Sequence, residues 1–257
     1  MLNFENTESK NSNSMKSSTV NVIIASVAVI VLGSIAIGGY KDRNVAQNSI
    51  SVTGMASKDF TSDLIVWRGS FTTKDFNLAS GYKKLAADAD KVKKYLMDNG
   101  LTESDFVFSS VSFYKDFTTT YRQGEGSTST FNGYVLTQSV EITSKEVNKI
   151  EGLSRNVTSL INQGVEFSSD APQYYYTKLS ELKLEMIAEA SQDGLRRAQQ
   201  IVDNAGGKIK ELQSASLGVF QITAQNSNEE YSYGGTFNTW SKEKTASVTV
   251  RLKYGVK

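Results

Sequence analysis

From Lys178 to Gly207 apolar and small residues recur at three- and four-residue steps. Leu179, Leu182, Met186, Ala190, Gly194, Ala198, Ile201 and Ala205 form one stripe of an α-helix. The middle of that stripe is small, so another backbone, most simply that of a sheet, is expected to come close there. Gly194 costs about 1 kcal/mol relative to Ala in a helix interior, a deficit that packing must offset. Asn204 to Gly207 supply the left-handed C-cap.

Two more segments carry the helical period. Asn77 is the expected N-cap of a helix reaching Asn99, with Leu78, Tyr82, Leu85, Ala89, Val92 and Leu96 as its apolar face. A helix from Ser144 to Asn162 buries Val147, Ile150, Leu153, Val157, Leu160 and Ile161 and closes at Gly164.

Between them the period falls to two. Ile50 to Ser57 alternates and breaks at Gly54, where a bend or bulge is expected. Asp63 to Thr73, Phe106 to Phe117, Phe131 to Thr143, Val165 to Tyr176, Lys208 to Thr223 and Thr245 to Tyr254 read as extended. Thr118 to Thr130 and Ala224 to Lys244 read as polar, turn-rich connections.

These pieces echo one another. Helix, Gly100, strand, loop and a strand near Val140 are matched by helix, Gly206, strand, loop and a strand near Val248. The pattern predicts an α+β fold of two β-α-β-β-like units, with helices on antiparallel or mixed sheets.

The N-terminal pattern differs. Residues 1–19 are polar and aperiodic, as in a disordered tail. Val20 to Gly39 carries no charge. About 20 residues at ~1.5 Å rise cover about 30 Å, the thickness of a bilayer core. Residues 20–40 are therefore expected to be a single-pass anchor, followed by a linker over 41–49 and a domain over 50–257. A secreted form cleaved near Gly38 is the alternative, opposed by the long polar segment before the apolar run. Lys10 and Lys16 before the span balance Lys41 and Arg43 after it, so basic residues alone do not orient it.

Composition narrows the chemistry. The formal net charge of +1 suggests no nucleic-acid partner. His and Cys are absent, which removes Ser–His and Cys–His triads, imidazole or thiolate metal sites, haem ligation and disulfides. No cofactor is expected. A carboxylate pair drawn from Asp63, Glu141, Glu181, Glu185, Glu189 and Asp193 is the remaining catalytic option, and solvated helix faces explain these residues more simply. Gly124-Glu125-Gly126 lacks the Lys-Ser or Lys-Thr of a phosphate loop. The sequence does not decide whether Arg68 beside Trp67 is a buried ion-pair partner or a cation–π pair, and Tyr174 to Tyr176 is read as a strand packed on both sides. Tyr231, Tyr233, Phe237 and Trp240, set among Asn, Ser, Gly and Glu, make the best candidate contact surface. Tyr121 and Arg122 occupy the corresponding loop of the first half.

Ile50-Ser51-Val52-Thr53-Gly54 with Ala56, Glu189-Ala190, Asp193, Arg197-Ala198, Gly206 and Ser247-Val248-Thr249-Val250 together resemble the SIMPL-domain family of bacterial periplasmic and cell-envelope proteins. The resemblance runs from Ser49 to Val256. The long apolar segment and the more polar helix, with Gly194-Leu195 inside it, depart from many relatives. The resemblance implies an extracytoplasmic domain without an established catalytic site, tied to the envelope and in some relatives to oxidative-stress tolerance. It also implies self-association, ring-like in some relatives, contact with other envelope proteins, and Met1 on the cytoplasmic side of the inner membrane. An envelope enzyme using paired carboxylates and a small-ligand-binding module are the alternatives.

Overall fold

The computed structural model describes residues 17–44, 48–122 and 126–257, without side chains at 17–20, 38–44 and 122. The chain divides into two compact units, one ending at Ser49 and the other running from Ile50 to Lys257.

The first unit contains helix α1, Ser17–Asn44. It begins inside the expected tail and ends inside the expected linker; residues 1–16 and 45–47 lie outside the described residues. Val22, Ile24, Val29, Ile30, Leu32 and Ile35 are all exposed on it. Ser26 and Ser34 turn their hydroxyls back onto the carbonyls of Val22 and Ile30 at 2.8 Å. Among the described residues no helix is long and apolar enough to cross a membrane; on α1 the described side chains run from Asn21 to Ile37.

The second unit is α+β, with two sheets. Sheet I is built from β1 (Ser49–Thr61), β8 (Ile209–Leu217), β9 (Gln221–Ala224), β10 (Thr236–Phe237) and β11 (Glu243–Val256). Its long strand β11 lies between β1 on one edge and β9 and β8 in succession on the other. β10 pairs with β9 in parallel, which makes the sheet mixed. Sheet II is antiparallel: β2 (Leu64–Asp75), β3 (Phe106–Phe108), β4 (Ser112–Arg122), β5 (Gly126–Ser144), β6 (Glu166–Ser169) and β7 (Gln173–Tyr175).

Each sheet has a helix on its inner face. α2 (Leu78–Asp98) packs on β2 and β5, and α4 (Leu179–Asn204) on β11 and β8. Asn77 caps α2 by accepting the Ser80 N–H at 3.0 Å, and Gly100, at φ +80°, closes it. α3 (Val147–Asn156) continues as a 3-10 turn over Val157–Gln163 that ends at Gly164, φ +78°. The two cores are separate. Trp67, Phe71, Leu85, Leu96, Val140 and Ile150 centre one; Met186, Ala190, Ala198, Ile222, Val248 and Leu252 centre the other. Among the described residues both cores and both sheets lie within 49–257, so this part of the chain carries its own folding determinants without α1.

Toward sheet II the chain runs β2, α2, β3, β4 and β5, and toward sheet I it runs α4, β8, β9, β10 and β11. The segment Val165 to Tyr176 does not supply the second entry strand. It becomes β6 and β7 beside β2, while β1 from the far end of the domain takes that place beside β11.

Several expectations are corrected. Gly54 makes no bend, because β1 runs unbroken through it. Its lack of a side chain instead admits α4: a Cβ there would fall on the Ala190 carbonyl and within 2.5 Å of Gly194 N. At the end of α4 the stripe shifts, Val202 being buried while Ile201 and Ala205 are exposed. Tyr82 is exposed on α2, where it borders an open groove beside Phe113 and Tyr134 of sheet II. Phe106 to Phe117 is two strands, broken at Ser109–Val111. Lys208 to Thr223 is likewise broken, at Gly218–Phe220. Thr118 to Thr130 is a hairpin rather than a loose connection, with residues 123–125 outside the described residues.

Candidate functional site

The loop from Asn226 to Lys244 is held by buried amides. Gln221 accepts the N–H groups of Ser232 and Thr236 on its Oε1 and donates to the Ser232 carbonyl at 2.8 Å. Asn238 accepts the Trp240 and Ser241 N–H groups and donates to Glu229, whose other oxygen takes the Ala224 N–H at 3.0 Å. These bonds replace the regular ladder the sequence lacks here, so the segment has a defined shape.

The four aromatics it carries are all exposed, Tyr233 completely. Tyr231 and Tyr233 border a cavity of about 230 Å³ with Met55 and Val219. Trp240 borders another, of about 300 Å³, with Arg68 and Gln173, and Phe237 meets Tyr175 at 6.5 Å between ring centres. The sequence-predicted residues thus form two adjoining patches. Tyr121 is exposed on the β4–β5 hairpin of sheet II, apart from the Tyr231 and Trp240 cavities. The Arg122 side chain lies outside the described residues.

A larger apolar surface escaped the sequence reading. β5 pairs with β2 only from Tyr134 onward, so Gly126 to Asn132 and β4 project as a two-stranded ribbon. On β4, Phe113 and Phe117 share a face because they are four residues apart. On β5, Phe131 and Tyr134 are three apart and would fall on opposite faces. A β-bulge prevents this: Asp116 pairs with Gly133 and Phe117 with Phe131, leaving Asn132 as the extra residue. Gly133 at φ +116° permits it, and Asn132 donates to Asp116 at 2.9 Å.

The result is one run of aromatic rings. Centroid separations are 5.7 Å for Phe117–Phe131, 5.2 Å for Phe131–Tyr134, 6.4 Å for Phe113–Tyr134 and 6.2 Å for Phe76–Phe131, all near edge-to-face. Of these rings Phe76, Phe113 and Tyr134 line, with the first turns of α2, a groove of about 850 Å³; Phe117 and Phe131 continue the run beyond it. Phe76, Tyr82, Phe113 and Phe117 are each more than half exposed. The signal in the sequence was Asn132-Gly133 inside a strand pattern, which marks a bulge.

Four of the six candidate carboxylates are occupied elsewhere. Asp63 accepts both the N–H and hydroxyl of Thr177, which hold its carboxyl below the usual range against the opposing effect of burial. Glu141 pairs with Arg68 at 2.6 Å on the surface of sheet II, so Arg68 is neither buried nor stacked on Trp67, which donates to Ser169. Glu185 pairs with Lys58. Asp193 accepts the Met55 N–H at 3.0 Å and pairs with Arg197 at 2.7 Å. Those bonds, the Met55 amide first, lower its pKa and satisfy a donor on the open edge of β1. Within β7 Tyr174 is buried while its neighbour Tyr175, on the opposite face by alternation, meets Phe237; Tyr176, just beyond β7, rests on Phe60 at 4.9 Å. Among the described residues no three acidic groups are placed to hold a metal.

The buried Lys244 ammonium was also missed, since a lysine in an alternating strand carries no mark of burial. Its Nζ donates to Ser62 Oγ at 2.9 Å and to the Tyr174 carbonyl at 2.5 Å, tying sheet I to β7 and to the β1–β2 turn. Burial pushes its pKa down to about 8.

The family model described as SIMPL: Protein of unknown function (DUF541) matches residues 50–254. No curated protein matches the chain.

Proposed function

The chain belongs to the SIMPL family, and from that premise we propose that it is a membrane-anchored assembly domain working outside the cytoplasm. In this reading α1 is the anchor. Its exposed apolar side chains have no partner among the described residues of the first unit, and its serines satisfy their own hydroxyls, as a helix in hydrocarbon must. The uncharged run from Val20 to Gly39 has the length of a bilayer core.

The observation that carries the assembly role is the loop of exposed aromatics on a hydrogen-bonded frame. Tyr231, Tyr233, Phe237 and Trp240 offer large contact area without the entropy cost of ordering a slack loop. The proposed partner is a second copy of the chain, with other envelope proteins as further partners and a contribution to stress tolerance as the outcome.

The sidedness is tested by cysteine labelling, which the absence of native cysteine makes clean. A membrane-impermeant maleimide is expected to label a Ser129→Cys chain in intact cells and a Ser12→Cys chain only after lysis. Protection of Ser129→Cys in intact cells would place the domain in the cytoplasm and end this reading.

A further inference from the structure

The aromatic groove between α2 and the β4–β5 ribbon combines an apolar floor with charges of one sign. Two carboxylates stand beside it and both are neutralised: Asp75 by Lys84 and Asp116 by Lys74, each at 2.6 Å. Lys83 lines the groove. Lys115 pairs in register with Tyr134, which places it on the aromatic face of the ribbon. Neither lysine has a carboxylate partner among the described residues, and both are exposed. The volume of about 850 Å³ falls within the ~300–1,000 Å³ of small-molecule sites.

We propose that this groove binds a single-chain anionic amphiphile, with the alkyl chain along Tyr82, Phe113 and Tyr134 and the anionic head between Lys83 and Lys115. Charge complementarity selects this occupant. A neutral aliphatic ligand would leave two ammonium groups unused, and a cationic one would be repelled by them. The open side of the groove suits a chain laid lengthwise with its head in water, where lysine stems cover apolar surface and keep their charge solvated. The bulge at Asn132-Gly133 extends the aromatic surface beyond the groove, because it turns Phe131 onto the Tyr134 face. The inference is independent of the assembly role, which uses a different surface.

Calorimetric titration of residues 48–257 with sodium dodecanoate below its micellar concentration tests it. The expected result is saturable binding to one site, at least tenfold tighter than for dodecyltrimethylammonium or dodecyl maltoside. Lys83→Glu with Lys115→Glu should weaken dodecanoate binding at least tenfold, and Tyr82→Ser with Phe113→Ser should do the same. All four positions are exposed, so unchanged circular dichroism is expected and separates lost binding from lost folding. No saturable binding, equal binding of all three head groups, or binding unchanged in both double variants would each overturn the proposal. A copy-to-copy contact would also overturn it, and would read as a dimer that Tyr82→Ser with Phe113→Ser dissolves.

Discussion

Gly54 of β1 and Gly194 of α4 meet backbone to backbone. A Cβ on Gly194 would lie 3.3 Å from Gly54 N and 2.7 Å from Leu252 Cδ1. Two residues without side chains, 140 positions apart by number, let a helix settle on a strand more closely than any alanine would. The contact also brings Asp193 within reach of the Met55 amide, which secures the edge of β1.

That contact makes Gly194 intolerant of volume. Gly194→Leu should cost on the order of 1–3 kcal/mol or more through overpacking, despite the gain in helix propensity. The urea midpoint of residues 48–257 checks it. A variant as stable as wild type would mean that the stripe does not meet the sheet.

Lys244 makes stability rise with alkaline pH. Its folded pKa, about 8, lies below the 10.5 of the free side chain, so between these values the unfolded chain binds the extra proton. Unfolding free energy therefore rises with pH over that window, by at most ~1.4 kcal/mol per unit, and the penalty is complete below pH 8. Chemical denaturation at pH 7.5, 9 and 10 (about one unit or more apart) should reveal the rise. Lys244→Met should remove that component, and an identical slope in the variant would show that other groups cause it.

Asp75 acts at the opposite end of the scale. The bond from Lys84, then the Asn77 N–H and Ser80, draw its pKa from 3.8 to about 2. Its contribution is present above the unfolded value and is lost as pH falls through the folded one, between about 4 and 2. Asp75→Asn should be less sensitive to acid than wild type across that window in a thermal-melt series. Equal acid sensitivity would contradict the role given to the cluster.

The helices were legible because their stripes are long and their ends marked: Asn77, Gly100, Gly164 and Gly206 all act where the sequence places them. The order of strands after Gly100 and after Gly206 was legible too, through the similar spacing from Gly100 to Val140 and from Gly206 to Val248. Strand partners were not, since alternation fixes the faces of a strand and says nothing of its neighbours. Hence β1 crossing to β11, and Val165 to Tyr176 joining β2, needed the structure. At the candidate surfaces, Tyr231 and Trp240 stood out by composition. Phe131 did not, because one extra residue reverses its face.

The central claim is that the exposed aromatics of residues 226–244 hold copies of the domain together. Sedimentation velocity of residues 48–257 over a wide range of concentration tests it most directly. A species heavier than one copy is expected in the wild type, and a return to a single copy in Tyr231→Ser, Tyr233→Ser, Trp240→Ser. A single copy at every concentration, or an oligomer that the triple variant leaves intact, would contradict it.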